Sequence, residues 1–221
     1  MADTVGIIGG TGPLGQGLAA RFALAGIKVT IGSRKPERAA AAAEEVVSWL
    51  EGREAAEVSS AGNLDACDAD IVILSVPFEA LDAALEPLKD ALVGRLVVSA
   101  LNPLGFDEQG PYPIPVEHGA VAVTCEKRLP DSRVVAAFHS VSSRQLARLD
   151  EPIEEDVPVF GSDEDAIDEV SELIERVEGL RPVPAGPLRL AGPVEGLTAV
   201  IIAVNKRHKA HVGLRFARLE R

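Results

Sequence analysis

Cysteine is scarce in this chain, and so are aromatic residues and cations. Only Cys67 and Cys125 occur among 221 residues, far apart, so the sequence predicts no disulfide framework and no metal site. We expect both to be buried as small apolar side chains. Lys and Arg number 22 against 34 Asp and Glu, which gives a formal net charge of -12. This acidic balance argues against nucleic acid and anionic membranes as partners.

Leader and membrane signals are missing as well. The chain enters a strand-like run at Thr4 without a basic leader, and no apolar run reaches the length of a membrane span. The sequence therefore predicts a cytoplasmic protein without a membrane partner. What it does contain is 47% hydrophobic residues with only 4% aromatics. That composition is typical of a parallel sheet covered by Ala-rich helices.

A glycine turn near the N-terminus joins a strand-like run to the start of a helix. In the spacing Gly10-x-Gly12-x-x-Gly15, one glycine allows the tight turn, one lets the backbone approach a pyrophosphate, and one permits close helix packing. The free N–H groups of the following helix would hold the anion. The alternative is a purely structural turn. The dinucleotide residues predicted here are Gly10, Thr11, Gly12, Pro13, Leu14 and Gly15.

The end of the second predicted strand decides which dinucleotide fits. An NAD enzyme usually places Asp or Glu there, whereas this chain has Ser33 and Arg34, with Arg38 four residues further on. A hydroxyl and two guanidinium groups suit a 2′-phosphate. The alternative is that both arginines are solvated residues of a helix start, although cations there oppose the helix dipole. The sequence therefore predicts NADP(H).

Later strand ends supply further candidates. Val76 and Pro77 follow a central apolar run and would line the cofactor cleft, or Pro77 simply starts a helix over 78–92. Asn102 would bond a ribose or carboxamide, or cap a turn. His139 follows the sixth predicted strand as a proton donor, a hydrogen-bond partner to a ring oxygen, or a satisfied polar residue.

These runs predict an α/β fold with a doubly wound parallel sheet. We expect a Rossmann NADP-binding domain over 1–140 and a smaller C-terminal α/β domain over 141–221. The loop at 107–115 is long and Pro-rich, the helix after it is expected at 116–128, and the acidic stretch 150–156 is interpreted as a solvated linker or surface.

The last predicted helix begins near Pro193 and ends in a basic segment. Its inward face is predicted to carry Leu197, Val200, Ile201 and Val204. The basic end has two interpretations: complementing the helix dipole, or binding an anionic substrate tail or an acidic neighbouring subunit. The cations concerned are Lys206, Arg207, His208, Lys209, His211, Arg215, Arg218 and Arg221.

With these motifs the sequence resembles the NADPH-dependent reductases of coenzyme F-420, the 8-hydroxy-5-deazaflavin coenzyme. The glycine motif and the Gly32–Arg34 motif are shared with many NADP enzymes, whereas the motifs later in the chain are more specific to this family. The resemblance covers nearly the whole chain and is carried by Ile7–Gly15, Gly32–Arg34, Asn102–Phe106, Pro130–His139 and Glu195–Thr198 with the basic segment after it.

The resemblance implies reversible hydride transfer between nicotinamide C4 and deazaflavin C5, without a metal. It implies that Thr11, Ser33, Arg34 and Arg38 bind the 2′-phosphate side of NADP(H). It places the deazaflavin between the two predicted domains, and it implies a homodimer. Phe78 departs from the Trp of some relatives.

Two other functions stay open on the residues alone. One is an NADP-dependent reductase of a small carbonyl or imine, with His139 as proton donor. The other is a non-catalytic NADP(H)-sensing protein, which a fold alone does not exclude. The chain has no Ser-His-Asp set and no Tyr-x-x-x-Lys pair, and a cofactor-to-cofactor hydride transfer needs neither.

Overall fold

The computed structural model describes residues 2–219. The strands are β1 Thr4–Ile8, β2 Lys28–Ser33, β3 Val58–Gly62, β4 Ile71–Leu74, β5 Leu96–Ser99, β6 Leu104–Asp107, β7 Gly110–Pro113, β8 Arg133–Ala136, β9 Glu155–Gly161 and β10 Leu180–Gly186. The α-helices are α1 Pro13–Leu24, α2 Pro36–Trp49, α3 Leu81–Leu85, α4 Val121–Arg128, α5 Ser143–Leu146, α6 Glu164–Glu175 and α7 Ala191–His208.

Eight strands form one sheet in the order β10-β9-β8-β5-β4-β1-β2-β3. All neighbouring strands in it are parallel except β8 and β9, which are antiparallel. The order from β3 to β8 reverses at β1, so the switch point lies between β1 and β4. The predicted doubly wound α/β fold is therefore confirmed, with β8 as the sixth strand of the parallel set.

Helices cover both faces of this sheet, as its fully buried central strands require. On one face α1, α2 and α6 pack against the sheet, and on the other α3 and α4 do so, joined by the first turn of α7. The Phe22 ring meets the Phe138 ring edge-on, with centroids 6.0 Å apart. Cys67 and Cys125 are buried and free, as predicted. This packing leaves the carboxyl ends of the parallel strands open for a site.

The chain beyond residue 140 extends the same sheet. β9, α6 and β10 form a parallel βαβ unit whose first strand pairs with β8. The predicted boundary at residue 140 stays a prediction. The solvated-linker interpretation is wrong for Glu155 and Asp156, which lie buried in β9. Arg181 on β10 pairs with the Asp156 carboxylate, so one of these two buried charges is compensated.

Three predicted elements differ in detail. The helix expected over 78–92 is split, with α3 between two short 3₁₀ turns, because Pro87 removes a donor and crowds the preceding turn. The predicted loop at 107–115 instead forms the turn and the second strand of an antiparallel hairpin, β6–β7, and backbone N–H groups in the turn donate to Asp107. The helix expected at 116–128 begins only at Val121.

α7 presents apolar residues outward, contrary to part of the predicted face. Val200 is 56% exposed and Val204 is 36% exposed, because the helix lies on β7 and α4 rather than in the core. The segment Leu188–His208 is long and apolar enough to cross a membrane, and 22% of its most apolar 18-residue stretch is buried in the protein. The expectation that no such run exists is therefore wrong, although one helix of this kind is weak evidence for a membrane span.

Candidate active site

A cleft of about 790 Å³ opens at the glycine turn between β1 and α1. We call it the glycine-turn cleft. The left-handed residue of the turn is Gly9, with φ of 72°, one position before the predicted Gly10. A Cβ on Gly15 would lie 2.5 Å from the Gly10 Cα, so α1 approaches the turn closely. A Cβ on Gly12 would meet no atom within 4 Å and would point into open space. The helix N-terminus is thus bare where an anion would bind.

Cations collect at one end of this cleft. Ser33 ends β2, and Arg34, Lys35 and Arg38 follow it; all four residues line the cleft. The three cations are exposed, and none forms an ion pair with another residue in the described part of the chain. In a protein with net charge -12, three unpaired cations and a hydroxyl in one cleft have the charge and the hydrogen-bond donors that a phosphate monoester requires.

The cleft is bounded elsewhere by apolar residues and two amides. Val76, Pro77 and Phe78 follow β4 and line it. Asn63, after β3, and Asn102, after β5, line it too, and the side-chain oxygen of each is buried without a hydrogen-bond partner among residues 2–219. Because buried acceptors are normally satisfied, these two oxygens indicate a ligand that donates to them.

A second cavity of about 670 Å³ adjoins the first. We call it the histidine cavity, since His139 and the residues after it form one wall. α7 and the chain beyond it form the opposite wall, through residues such as Thr198 and Ile202. Leu14 and Asn102 line both cavities. Two ligands, one bound in each cavity, would therefore meet at these two side chains.

The imidazole of His139 is 2% exposed. Neither ring nitrogen has a hydrogen-bond partner of normal geometry within residues 2–219. Burial lowers the pKa of His139 to about 4, and the Leu101 backbone opposes that shift only in part. At neutral pH the ring is therefore uncharged, with one donor and one acceptor nitrogen.

The backbone at His139 ties three elements together. Its carbonyl accepts hydrogen bonds from Asn102 Nδ2 at 3.0 Å and from Thr198 Oγ1 at 2.7 Å. The preceding residue, Phe138, is fully buried with φ of 67°, a left-handed conformation that is costly for a side chain of this size. This strained bend turns the chain from β8 into the cavity wall.

Glu195 fastens α7 in place. Its fully buried carboxylate accepts from the backbone N–H groups of Val121 at 2.8 Å and Ala122 at 3.1 Å, and so caps α4. Burial raises the pKa of Glu195, and these two hydrogen bonds oppose the rise. Thr198 lies one turn further along α7. The cap thus determines where α7 contributes to the histidine cavity.

The basic end of the chain divides into two groups. Lys206, Lys209 and His211 line the histidine cavity, together with Arg144 from the opposite wall. Arg207 is exposed and is not part of the lining. Other members of the predicted basic set lie elsewhere: Arg215 pairs with Glu154 at 2.8 Å, and Arg221 lies outside the described residues.

The predicted residues thus fall into two neighbouring places. All the predicted dinucleotide residues line the glycine-turn cleft except Gly10, which lies in the turn, and Gly15, which lies in α1; His139 lies in the other cavity. Lys35 and Asn63 also line the cleft, although neither was predicted from the sequence. Each is a polar residue just beyond a strand's carboxyl end, a signal that could have identified both.

The doubly wound sheet with a glycine-turn cleft at its switch point defines a Rossmann-type dinucleotide-binding protein. Residues 4–103 match the family model described as NADP oxidoreductase coenzyme F420-dependent. The chain belongs to the F420-dependent NADP reductase family, because it is similar over nearly its whole length to proteins of that name.

Two archaeal relatives carry this assignment. The F420-dependent NADP reductase of Methanothermobacter thermautotrophicus is 34% identical over 225 residues, covering 99% of this chain and 97% of the relative. That of Methanocaldococcus jannaschii is 36% identical over 222 residues, covering 98% and 99%. The crystal structure of a candidate F420-dependent NADP reductase from an Arthrobacter species has a TM-score of 0.82 at 24% identity, covering 99% of this chain and 100% of that one, and supports the fold.

Proposed function

We propose that this protein transfers a hydride reversibly between NADP(H) and the deazaflavin coenzyme F-420. The observation that carries the proposal is the meeting of two cavities at Leu14 and Asn102. Hydride transfer between two ring systems requires the reacting carbons to face each other with water excluded. Two adjoining cavities of about 790 and 670 Å³ provide one place for each ring system.

In this proposal NADP(H) occupies the glycine-turn cleft. Ser33, Arg34 and Arg38 bind the 2′-phosphate, with Lys35 as a further cation. The N-terminus of α1 and the Thr11 hydroxyl hold the pyrophosphate. Asn102 donates to the His139 carbonyl and keeps its own oxygen free to accept from the nicotinamide carboxamide at the junction.

The deazaflavin then occupies the histidine cavity. His139 contacts it as an uncharged hydrogen-bond partner, which a hydride transfer between cofactors allows. The carbonyl or imine reductase alternative requires an imidazolium as proton donor, and a pKa of about 4 disfavours that form at neutral pH. Family membership favours the deazaflavin over both this alternative and the NADP(H)-sensing protein.

The first test is a spectrophotometric assay of the purified protein with NADPH and oxidised F-420. We expect NADPH-dependent bleaching of the deazaflavin and only weak bleaching with NADH. Arg34→Ala should raise the KM for NADPH about 10- to 100-fold, because charge-assisted hydrogen bonds to the 2′-phosphate are lost. The KM for NADH is the control and should change little. Tight NADPH binding without bleaching would contradict the proposal.

The cations of the histidine cavity give a second prediction. The double substitution of Lys206 and Lys209 by Ala should raise the KM for F-420 about five- to tenfold, since both line the cavity and the coenzyme carries an acidic tail. The KM for NADPH should stay unchanged. Arg207→Ala is the matched control, because this exposed cation lies outside the lining. An equal effect of Arg207→Ala would mean that only net charge matters.

We also propose that the protein is a cytoplasmic homodimer. Its subunit contact would use the outward apolar face of α7 and the β6–β7 hairpin, where Val200, Val204, Phe106 and Tyr112 are exposed. A second copy of the chain buries such a face without exposing it to water. Sedimentation analysis showing a monomer at micromolar concentration would contradict the dimer.

A further inference from the structure

The carboxyl group of Glu155 lies directly behind one wall of the histidine cavity. Glu155 begins β9, is 4% exposed and is not itself part of the lining. Its Oε2 accepts a hydrogen bond from the Ser142 backbone N–H at 3.3 Å. Ser142 lines the cavity and caps α5 through its side chain. Glu155 therefore supports the wall that follows His139.

The same carboxyl group supports the opposite wall. The chain after α7, residues 209–219, is called here the C-terminal segment; its residues 209–211 line the cavity. A Cβ on Gly213 would lie 2.0 Å from the Glu155 Cδ and 2.1 Å from its Oε2. The carboxyl group thus fills the space that a side chain at position 213 would need.

Two hydrogen bonds hold the C-terminal segment, one to α7 and one to β9. The Val212 N–H donates to Asn205 Oδ1 at 2.7 Å, and the Asp156 N–H donates to the Leu214 carbonyl at 2.8 Å. Gly213 lies between these two anchors and contacts Glu155. The position of the segment is therefore determined on both sides of the Glu155 contact.

Burial of the Glu155 carboxyl group costs free energy. Its Oε1 is buried without a hydrogen-bond partner, and none of the ion pairs in residues 2–219 includes it. An apolar side chain would pack there without the cost of burying a carboxyl group. A costly group that contacts both walls of one cavity points to a role in shaping that cavity.

We propose that Glu155 is a positioning residue, which holds the Ser142 wall and the C-terminal segment at the separation that F-420 requires. This inference rests on the proposed function for the identity of the ligand. Gly213 is its counterpart, because only the absence of a side chain there lets the carboxyl group reach the segment.

The kinetic test compares four variants. Glu155→Ala and Gly213→Ala should each raise the KM for F-420 about fivefold or more, because displaced walls misplace the bound ring. The KM for NADPH should not change, since the glycine-turn cleft does not include these residues. Glu155→Gln keeps the shape of the side chain and should restore most of the F-420 affinity. Glu172→Gln, at an exposed position of α6 that forms no ion pair within residues 2–219 and does not line the cavity, is the control for loss of charge.

A second measurement does not depend on the ligand. Amide hydrogen exchange of residues 209–214 should become faster in Glu155→Ala and Gly213→Ala, and less so in Glu155→Gln. If the wild-type protein does not reduce F-420, the proposed function fails, while faster exchange still supports the positioning role. Folded Ala variants with unchanged exchange and unchanged KM for F-420 would overturn it.

Discussion

Gly12→Ala should leave the protein folded and weaken NADPH binding about 10- to 100-fold. The backbone at Gly12 has φ of -88° and ψ of 168°, which alanine adopts readily. A Cβ there meets no protein atom within 4 Å, so the fold has room for it. The added methyl group points into the glycine-turn cleft, where the pyrophosphate must approach the backbone.

The matched control is Gly15→Ala, three residues further along the same motif. Its Cβ would lie 2.5 Å from the Gly10 Cα and 2.7 Å from the Gly10 carbonyl oxygen, so backbone must move. We expect a loss of about 1–3 kcal/mol in the free energy of unfolding. Urea unfolding and NADPH titration of both variants separate the two roles. Equal loss of stability in the two variants would show that Gly12 is a structural residue only.

The glycine motif could be interpreted from sequence because its contacts are local. Gly10, Gly12 and Gly15 lie between β1 and the first turns of α1, and Ser33 and Arg34 lie at the end of the neighbouring strand, so spacing alone brings them together. The left-handed residue is Gly9, which lies just before the motif, so the spacing of the motif does not identify it. Local pattern thus predicted most of the residues that line the glycine-turn cleft, while their contacts with NADP(H) stay a prediction.

The histidine cavity could be predicted only in part, because distant segments form it. His139 was a candidate through its position after β8, but its neighbours Thr198 and Lys206 come from α7, about sixty residues later in the sequence. Adjacent cations Lys206 and Arg207 look equivalent in sequence, yet only one faces the cavity, since this depends on how Glu195 docks the helix. The packing of α7, rather than residue type, determines which of the two cations lines the cavity.

The acidic stretch 150–156 also shows that a local pattern does not determine burial. Seven residues from 150 to 156 include five carboxylates, which predicts a solvated surface. The strand of the sheet nevertheless begins inside this stretch, at Glu155. Burial there is imposed by the partners of β9, which are β8, β10 and the C-terminal segment. No local pattern records those partners.

Glu155→Gln should stabilise the protein at pH 8 by about 3 kcal/mol relative to wild type. Burial raises the pKa of Glu155 from 4.5 to about 7 in the folded state, and the Ser142 N–H opposes this only partly. At a pH between these two pKa values, Glu155 is ionised in the unfolded chain and still protonated in the folded protein. The free energy of unfolding of the wild type therefore falls as pH rises through this window.

The free-energy cost of ionising Glu155 in the folded protein is absent below the pKa of the unfolded chain and complete above the pKa of the folded protein. The difference in the free energy of unfolding between variant and wild type should therefore be small at pH 5 and reach its maximum by pH 8. Urea unfolding at several pH values measures it, and other carboxylates cancel because both proteins contain them. Glu154→Gln removes the same charge from an exposed residue and should show no such trend. A difference that is constant from pH 5 to pH 8 would mean that Glu155 ionises in the folded protein as it does in water, and that its carboxylate is solvated by groups other than Ser142.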